Sequence, residues 1–508
     1  MGLVFSFPFN TLSDTRLLSL MYKYTGESTS KYMKDCVYLI QDSNNPIAFE
    51  PEGTIEINTN GVHDVSAYAE ASVNIPSSNE QLEEIKATLI EKGVATEETD
   101  STELNGVIQE QSFMKTYLTN VGAYGLFAFY GCSWSWYSSS NSVQKPSYYV
   151  ELPVVFQEHD TENCTTFANM FYYTKVKSIP YFNTANALNY SSMFYECESE
   201  SKIKDFSIFN FDKVTNVGNM FYNSSVLDDS IENVSIRMPW VVQLSMMFCR
   251  ANCGIKHIDL ETGIEQHSYM CYSDIFNGMK SLESIYWKFI NDTPYNKTNE
   301  GFVLASTFSG CTNLQTAVID LNNLIKFTHL GSSSCNSTFR NCTNLQHVEI
   351  KNAYISQSKF AYESGISAIN NMFNGCSLIE ELPPLSIYQV TSNYYASDVV
   401  KNCTNLKVVN FKNIRVDLQL ASGDTYGHLL TVDSLVNTCK ECIADTKSHT
   451  LTIGNVNIDK LANVYVRLTD EPEEYSAFSK KPCEVCEATD EGAMTITDYM
   501  ALKRWNIQ

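Results

Sequence analysis

The chain has 508 residues, of which 44% are hydrophobic, and its formal net charge at pH 7 is −23. The hydrophobic content is sufficient for packed cores and argues against global disorder. The acidic balance argues against nucleic-acid binding, which depends on clustered lysine and arginine, and it fits an exposed, soluble protein.

The chain contains no run of about 18 apolar residues, so we expect no transmembrane helix. Residues 1–10 lack a basic region and a small-residue cleavage site, so we also expect no secretory signal.

Sixteen cysteines are present. Because we expect no export, we interpret them as reduced thiols, most of them at one recurrent position of a repeat.

Residues 1–76 are predicted to form a small β-rich domain. Ile55 and Ile57 alternate with polar residues and precede the pair Asn60-Gly61, a strong signal for a hairpin turn. The segment that follows, up to residue 76, supplies the returning strand.

Residues 77–110 are predicted to form a helical connector followed by an acidic linker. Ser78 and Gln81 make a capping box at the start of the helix, and Gly93 suits its end. The apolar residues of one narrow stripe are Leu82, Ile85 and Leu89. Such a stripe is typical of a connector or of an oligomer seam.

Residues 111–163 are predicted to form an aromatic cap or the first coil of a repeat array. Phe129-Tyr-Gly-Cys132 already matches the repeat phrase described below. Trp134, Trp136 and Tyr137 are interleaved with serines, and such aromatics can stack on sugars or anchor a protein partner. The alternative is that they only cover the first coil.

Residues 164–461 repeat one phrase: an aromatic residue, two further residues, a cysteine and an apolar run. Phe308-Ser-Gly-Cys311-Thr-Asn-Leu314 returns as Phe339-Arg-Asn-Cys342-Thr-Asn-Leu345. Such repetition predicts a solenoid in which the phenylalanines and cysteines form internal ladders. Val400 and Leu435 are predicted to continue the aromatic position. Its other members are Phe171, Phe194, Phe221, Phe248, Phe276, Phe308, Phe339 and Phe373.

A second pattern in each coil predicts a short strand with one buried face, because its last two apolar residues alternate with polar ones. The instances are Ile203/Phe206/Ile208, Ile255/Ile258/Leu260, Leu282/Ile285/Trp287, Leu345/Val348/Ile350 and Leu406/Val409/Phe411. Four outward residues near these strands are candidates for a ligand-binding face, the alternative for each being plain solvated surface. They are His257, Tyr286, His347 and Lys407.

Residues 462–508 break the repeat and are predicted to form a C-terminal cap, because an open solenoid end would expose its core. Residues 496–505 have helical spacing, which places Ile496, Tyr499 and Leu502 on one side.

Two Cys-x-x-Cys pairs, Cys439/Cys442 and Cys483/Cys486, could supply four thiolates to a zinc ion. The 40 residues between the pairs are more than a typical zinc ribbon contains, and Cys439 lies close to an expected repeat position. We therefore favour structural thiols and expect neither a metal nor another cofactor. The chain also lacks the usual hydrolase, zinc-protease and nucleotide-binding motifs, so we expect a protein that is not an enzyme.

The segments Phe209-Asn-Phe-Asp-Lys-Val-Thr-Asn-Val-Gly-Asn-Met220-Phe221 and Asn370-Asn-Met-Phe-Asn-Gly-Cys376 resemble the BspA-like leucine-rich repeats of bacterial surface and virion proteins. That family includes a Mycoplasma lipoprotein branch with the same Met-Phe-x-x-Cys core. The resemblance covers residues 164–461, although Phe221 is followed by Tyr-Asn-Ser224 without a cysteine. It implies an α+β fold: a leucine-rich-repeat solenoid with short parallel strands, preceded by the β-rich domain and the connector helix.

Residues 53–76 are similar to a segment common in tailed-phage virion proteins of gut bacteria. Together the two resemblances imply a phage tail fibre or appendage protein, made in the host cytoplasm and exposed on the virion. Residues 1–110 would bind other virion proteins, and the solenoid would bind a host-surface protein or glycan, with homo-oligomers expected. The alternatives are a purely structural or decorating particle protein and a bacterial or protist surface adhesin.

Overall fold

The protein is described by a computed structural model. It covers residues 4–5, 21–22, 123–130, 132–137, 140–152, 161–263, 272–290, 304–321, 335–351, 368–387, 390, 396–423, 425–444, 446–470 and 480–508. The predicted hairpin of residues 53–76 and the predicted connector helix lie outside these residues. The chain divides into two compact units, the N-terminal unit (residues 1–228) and the C-terminal unit (residues 229–508).

The described residues of the N-terminal unit form short strands in three sheets. Strand β1 (Val4–Phe5) pairs antiparallel with β2 (Met21–Tyr22), and β3 (Ser133–Tyr137) pairs antiparallel with β4 (Ser140–Gln144). The third sheet is parallel and is formed by β5 (Lys175–Ser178), β6 (Glu198–Ile203) and β7 (Ser225–Leu227) in that order.

The C-terminal unit begins with a five-stranded parallel sheet in which each coil contributes one strand. Inward residues alternate with outward ones, and Trp287 is the largest of the inward side chains; its indole Nε1 donates to Thr262 Oγ1 at 2.8 Å. That bond satisfies the polar group of a fully buried aromatic. The strands, in sheet order, are β8 (Asn233–Met238), β9 (His257–Gly263), β10 (Ser284–Ile290), β11 (Thr316–Asp320) and β12 (His347–Lys351).

The remainder of the C-terminal unit mixes short strands with helices. The described α-helices are α1 (Val432–Glu441), α2 (Asn455–Leu461) and α3 (Ile496–Leu502). The parallel strands are β13 (Leu385–Ser386) beside β14 (Phe411–Lys412), and β15 (Leu418–Gln419) beside β16 (His449–Thr452). An antiparallel sheet contains β17 (Tyr465–Leu468), β18 (Cys483–Cys486) and β19 (Met494–Thr495), and β20 (Trp505–Ile507) pairs with β16.

The predicted phenylalanine ladder is confirmed within each unit. In the N-terminal unit the rings of Phe171, Phe194 and Phe221 stack with centroids 5.3 and 5.5 Å apart. In the C-terminal unit Phe308 lies between Phe276 and Phe339, with centroids 5.4 and 5.3 Å away. These rings are fully buried, so stacking removes a large apolar surface from water in every coil.

The turn that carries each ring has alternating backbone handedness. In each described coil, the residue two positions after the ring position has a φ between +47° and +85°. The first of these residues is Phe129 and the last is Asn402. This left-handed region favours glycine and asparagine. At Gly375 a Cβ atom would lie 2.6 Å from Asn341 Oδ1, so a side chain there would need its neighbour to move. The residue before the repeat cysteine is therefore often glycine or asparagine for a backbone reason.

Backbone hydrogen bonds join the turns of successive coils. In most described coils the N–H of the ring residue donates to a carbonyl of the next coil, as from Phe308 to Thr338 at 2.9 Å and from Phe339 to Met372 at 2.8 Å. The cysteine thiol donates in the opposite sense, from Cys342 to the Phe308 carbonyl at 3.0 Å. Cysteine is thus a small buried donor that joins adjacent coils.

Four details differ from the sequence predictions. Residues Phe206–Ile208 form a 3₁₀ turn rather than a strand, because the side chain of Asp205 accepts a hydrogen bond from the Ser207 N–H at 2.8 Å. Among the described residues the ladder begins at Phe127, stacked 5.4 Å from Phe171, and Phe129 occupies the left-handed position. Leu435 lies in α1 instead of in a further coil turn.

The fourth difference concerns the C-terminal helix. Helix α3 is shorter than residues 496–505, and Trp505 belongs to β20. The buried residues of helix α3 are Ile496, Tyr499 and Met500, whereas Leu502 is 45% exposed. None of the described helices is long and apolar enough to cross a membrane.

Candidate binding groove

The outward face of the five-stranded sheet consists of three rows, because the parallel strands pair in register. The histidine row comprises Asn233, His257, Ser284, Thr316 and His347. The tyrosine row lies two residues further along each strand and comprises Ser235, Asp259, Tyr286, Val318 and Glu349. The charged row follows and comprises Arg237, Glu261, Lys288, Asp320 and Lys351.

A groove of about 380 Å³ runs between the histidine row and the tyrosine row across β8, β9, β10 and β11. Its floor is the inward-facing row, where Val234, Ile258 and Ile285 contribute to the lining. Because inward side chains point into the core, the ligand-facing part of this floor is main chain. The groove is therefore a channel across the strands with polar side chains on both walls.

Two hydrogen bonds fix the groove side chains. His257 Nδ1 and Ser284 Oγ lie 2.8 Å apart, so the imidazole is held against the neighbouring strand. The Tyr286 hydroxyl donates to Asp320 Oδ2 at 3.4 Å, across to β11. Tyr286 nevertheless leaves 38% of its surface exposed, which gives a partly fixed aromatic ring open to solvent.

The charges beside the groove are paired with one another. Glu261 lies 3.5 Å from Arg237 and 3.8 Å from Lys288 in the charged row. On the other side of the groove, Glu232 and Lys256 are 2.7 Å apart. The hydrogen bond from Lys256 lowers the pKa of Glu232, and the same bond raises the pKa of Lys256. The two side chains keep 39% and 50% of their surface exposed, so the pair matters for local charge rather than for stability.

The sheet brings together three of the seven candidate residues. His257 and Tyr286 line the groove, and His347 continues the histidine row on β12, with Nε2 3.9 Å from Glu349. Lys407 lies in a later coil of the same unit, where its Nζ is 2.9 Å from Glu380. Its N–H and that of Val408 share the Glu380 carbonyl, as those of Lys256 and His257 share the Glu232 carbonyl.

Lys407 is consequently equivalent to Lys256 and stands one position before the histidine row. The aromatic candidates Trp134, Trp136 and Tyr137 lie in β3 of the N-terminal unit. Sequence reasoning missed several groove residues, since their positions depend on the register between strands from different coils. They are Asn233, Ser235, Asp259, Ser284 and Thr316.

The four cysteines considered for zinc lie on two elements of the C-terminal unit, and Cys483 is near enough to Cys439 to act on it electrostatically. Cys439 belongs to α1 and Cys442 caps it, while Cys483 and Cys486 are the ends of β18. Burial raises the pKa of the Cys439 thiol to about 12, and the nearby Cys483 also raises it. Among the described residues, no group of three or more histidine, cysteine or acidic side chains is arranged to hold a metal ion.

A buried lysine stands beside these thiols. Lys503 Nζ donates to the carbonyls of Cys439 and Lys440 at 2.9 and 3.0 Å, at the C-terminal end of α1. Burial lowers the pKa of Lys503 to about 8. These hydrogen bonds cover carbonyls at the C-terminal end of α1, so this lysine has a structural role.

Residues 144–259 match the family model described as Mycoplasma protein of unknown function, DUF285. The match covers less than a quarter of the 508 residues. It confirms the repeat character predicted from the phenylalanine and cysteine phrases, and its description carries no activity. No curated protein and no solved structure matches the chain.

Proposed function

We propose that the protein is a non-enzymatic binding protein of a phage particle, in a tail fibre or appendage, and that the outward face of β8–β12 recognises a host-surface receptor. The observation that carries the binding role is the groove between the histidine and tyrosine rows. It combines exposed polar side chains with the half-exposed ring of Tyr286, the kind of anchor that dominates many interfaces.

The particle-borne part of the proposal has separate support. It depends on the similarity of residues 53–76 to phage virion proteins, and those residues lie outside the described part of the chain. A structural particle protein or a surface adhesin would use the same solenoid. Antibody labelling of intact particles, combined with adsorption by a deletion mutant, distinguishes these roles: unchanged adsorption favours the structural one.

The binding role is tested with the full chain and a panel of gut bacterial strains in a whole-cell capture assay. We expect Tyr286→Ala to weaken capture about tenfold or more, since truncating a central aromatic anchor costs about 2 kcal/mol or more and each 1.4 kcal/mol is about tenfold in affinity. Tyr181→Ala is the matched control, because Tyr181 is 54% exposed and lies in the N-terminal unit. Equal capture by wild type and Tyr286→Ala on every strain that binds would contradict the proposed site.

A further inference from the structure

We infer that the groove between the histidine and tyrosine rows takes an uncharged linear glycan that lies across the strands. This inference rests on the proposed binding role of the sheet and specifies its ligand class. It is carried by the dimensions of the groove, the pairing of the sheet backbone, the chemistry of the walls and the pairing of the nearby charges.

The dimensions favour a single extended polymer. The residues of the two walls are two positions apart along each strand, so their Cα atoms are about 7 Å apart. The four strands from β8 to β11 span about 14 Å. An α-helix with its side chains is about 10–12 Å wide and would not enter a channel of this width. A short oligosaccharide segment has a suitable shape.

The sheet backbone is not open to a peptide ligand at the centre of the groove. Strand β9 pairs with β8 and β10, and β10 pairs with β9 and β11, so their main-chain groups are already bonded. A peptide that binds by extending a sheet needs a free strand edge. Recognition at this place must therefore use side chains.

The walls offer the groups that sugar hydroxyls use. His257, Ser284 and Thr316 present an imidazole and two hydroxyls on one wall, while Asp259 presents carboxylate oxygens on the other. Hydroxyls both donate and accept, so they suit a wall of mixed donors and acceptors. The half-exposed Tyr286 ring adds an apolar surface on which the C–H face of a sugar can stack.

The charges favour a neutral polymer. Asp259 is the sole formal charge among the described residues that line the groove, with histidine neutral, and it repels anionic glycans. The cations nearest the groove are engaged: Lys256 with Glu232, and Arg237 and Lys288 with Glu261. Among the described residues around this groove, none forms the free cationic cluster that an acidic polysaccharide requires.

The test is affinity electrophoresis of the full chain through gels that contain defined polysaccharides. We expect retardation by at least one neutral linear glucan or mannan and none by polygalacturonate. Tyr286→Ala and His257→Ala should each weaken the retardation about tenfold, whereas Tyr286→Phe should keep most of it because the ring remains. Tyr181→Ala should equal the wild type, and hydrogen exchange of the variants shows whether the sheet is intact.

The outcomes separate this inference from the proposed function. If capture of cells survives periodate oxidation of surface sugars but is lost after protease treatment, the ligand is not a glycan. The proposed binding role would still stand. Retardation by polygalacturonate alone would overturn the neutrality of the ligand. If all variants are retarded as strongly as the wild type, the polysaccharide binds elsewhere on the protein and not in this groove. A chain that captures no strain and is retarded by no polysaccharide contradicts both proposals.

Discussion

The two units build the same turn and differ in what surrounds it. In three successive coils of the N-terminal unit the residue after the ring is tyrosine, and Tyr195 stacks on Tyr172 and Tyr222 with centroids 4.7 and 4.6 Å away. In most coils of the C-terminal unit the same position is polar, as in Ser309 and Arg340. The turn is therefore a constant framework, and the neighbouring positions give each unit its own surface.

The groups that join the coils differ as well. In the N-terminal unit the cysteine position is occupied by Thr174, Cys197 and Ser224, and Ser224 Oγ donates to the Cys197 carbonyl at 3.1 Å. In the C-terminal unit four thiols in succession donate to the ring carbonyl of the preceding coil, at 2.9–3.1 Å. They are Cys311, Cys342, Cys376 and Cys403. Hydroxyl and thiol perform one task, but only the thiol ionises at moderately alkaline pH.

The largest expected effect tests whether the two ring ladders are separate cores. Phe308→Ala should lower the free energy of unfolding by about 3–5 kcal/mol, because it leaves a cavity between two stacked rings. Hydrogen exchange should lose protection around residues 304–321. The matched variant Phe194→Ala should instead expose residues 161–227. Equal loss of protection in both units for either variant would show that the two ladders form one cooperative core.

An intermediate effect concerns pH and the thiol ladder. Burial raises the pKa of Cys403 to about 12, whereas a thiol in an unfolded chain titrates near 8.5. Between these values the unfolded chain binds fewer protons, so the free energy of unfolding falls as pH rises, by about 1.4 kcal/mol per pH unit for one thiol. Cys403→Ser keeps a donor and should make this fall shallower by that amount in urea titrations from pH 9 to 11.

The reciprocal variant sharpens the same comparison. Ser224→Cys places an ionisable group at a buried position of the N-terminal unit, where Ser224 is 3% exposed. With this added thiol, the free energy of unfolding should fall more steeply between pH 9 and 11, by about 1.4 kcal/mol more per pH unit. A pH dependence that neither substitution changes would mean that these thiols do not control alkaline unfolding.

The smallest effect concerns the tyrosine stack. Tyr195→Ser gives this coil the residue that the C-terminal unit has at Ser309, and it should cost about 1 kcal/mol through loss of two stacked neighbours. The reverse change, Ser309→Tyr, should have almost no effect on urea stability, because its neighbours Asn277 and Arg340 offer no ring. A clear stabilisation by Ser309→Tyr would show that tyrosine is favoured here without a stack.

The sequence predicts the turn well because its chemistry is local. The ring, the left-handed residue and the thiol of the Phe308 coil all lie within four positions, so one phrase contains the whole motif. Phe127 and Phe129 show the limit of this approach. Both are aromatic, and only stacking on the next coil shows which of them belongs to the ladder.

The groove was not predictable in the same way, because it depends on contacts between coils. His257 and Ser284 are 27 residues apart and meet only through the register of β9 and β10. Local turn chemistry also overrode apolar spacing at two places. The Asp205 cap makes a 3₁₀ turn at Phe206, and the Thr431 hydroxyl accepts from the Ser434 N–H at 3.1 Å to begin α1.

The repeated hydrogen bonding of the turns has an evolutionary consequence. In most described coils the ring N–H donates to the next coil, and in the C-terminal unit the thiols donate back to the preceding one, so a coil gained by duplication or lost by deletion leaves equivalent partners facing each other within a unit. Recombination can then change the number of coils without any change in the buried residues of the coils that remain. The solenoid can thus be lengthened or shortened while it retains the same building block.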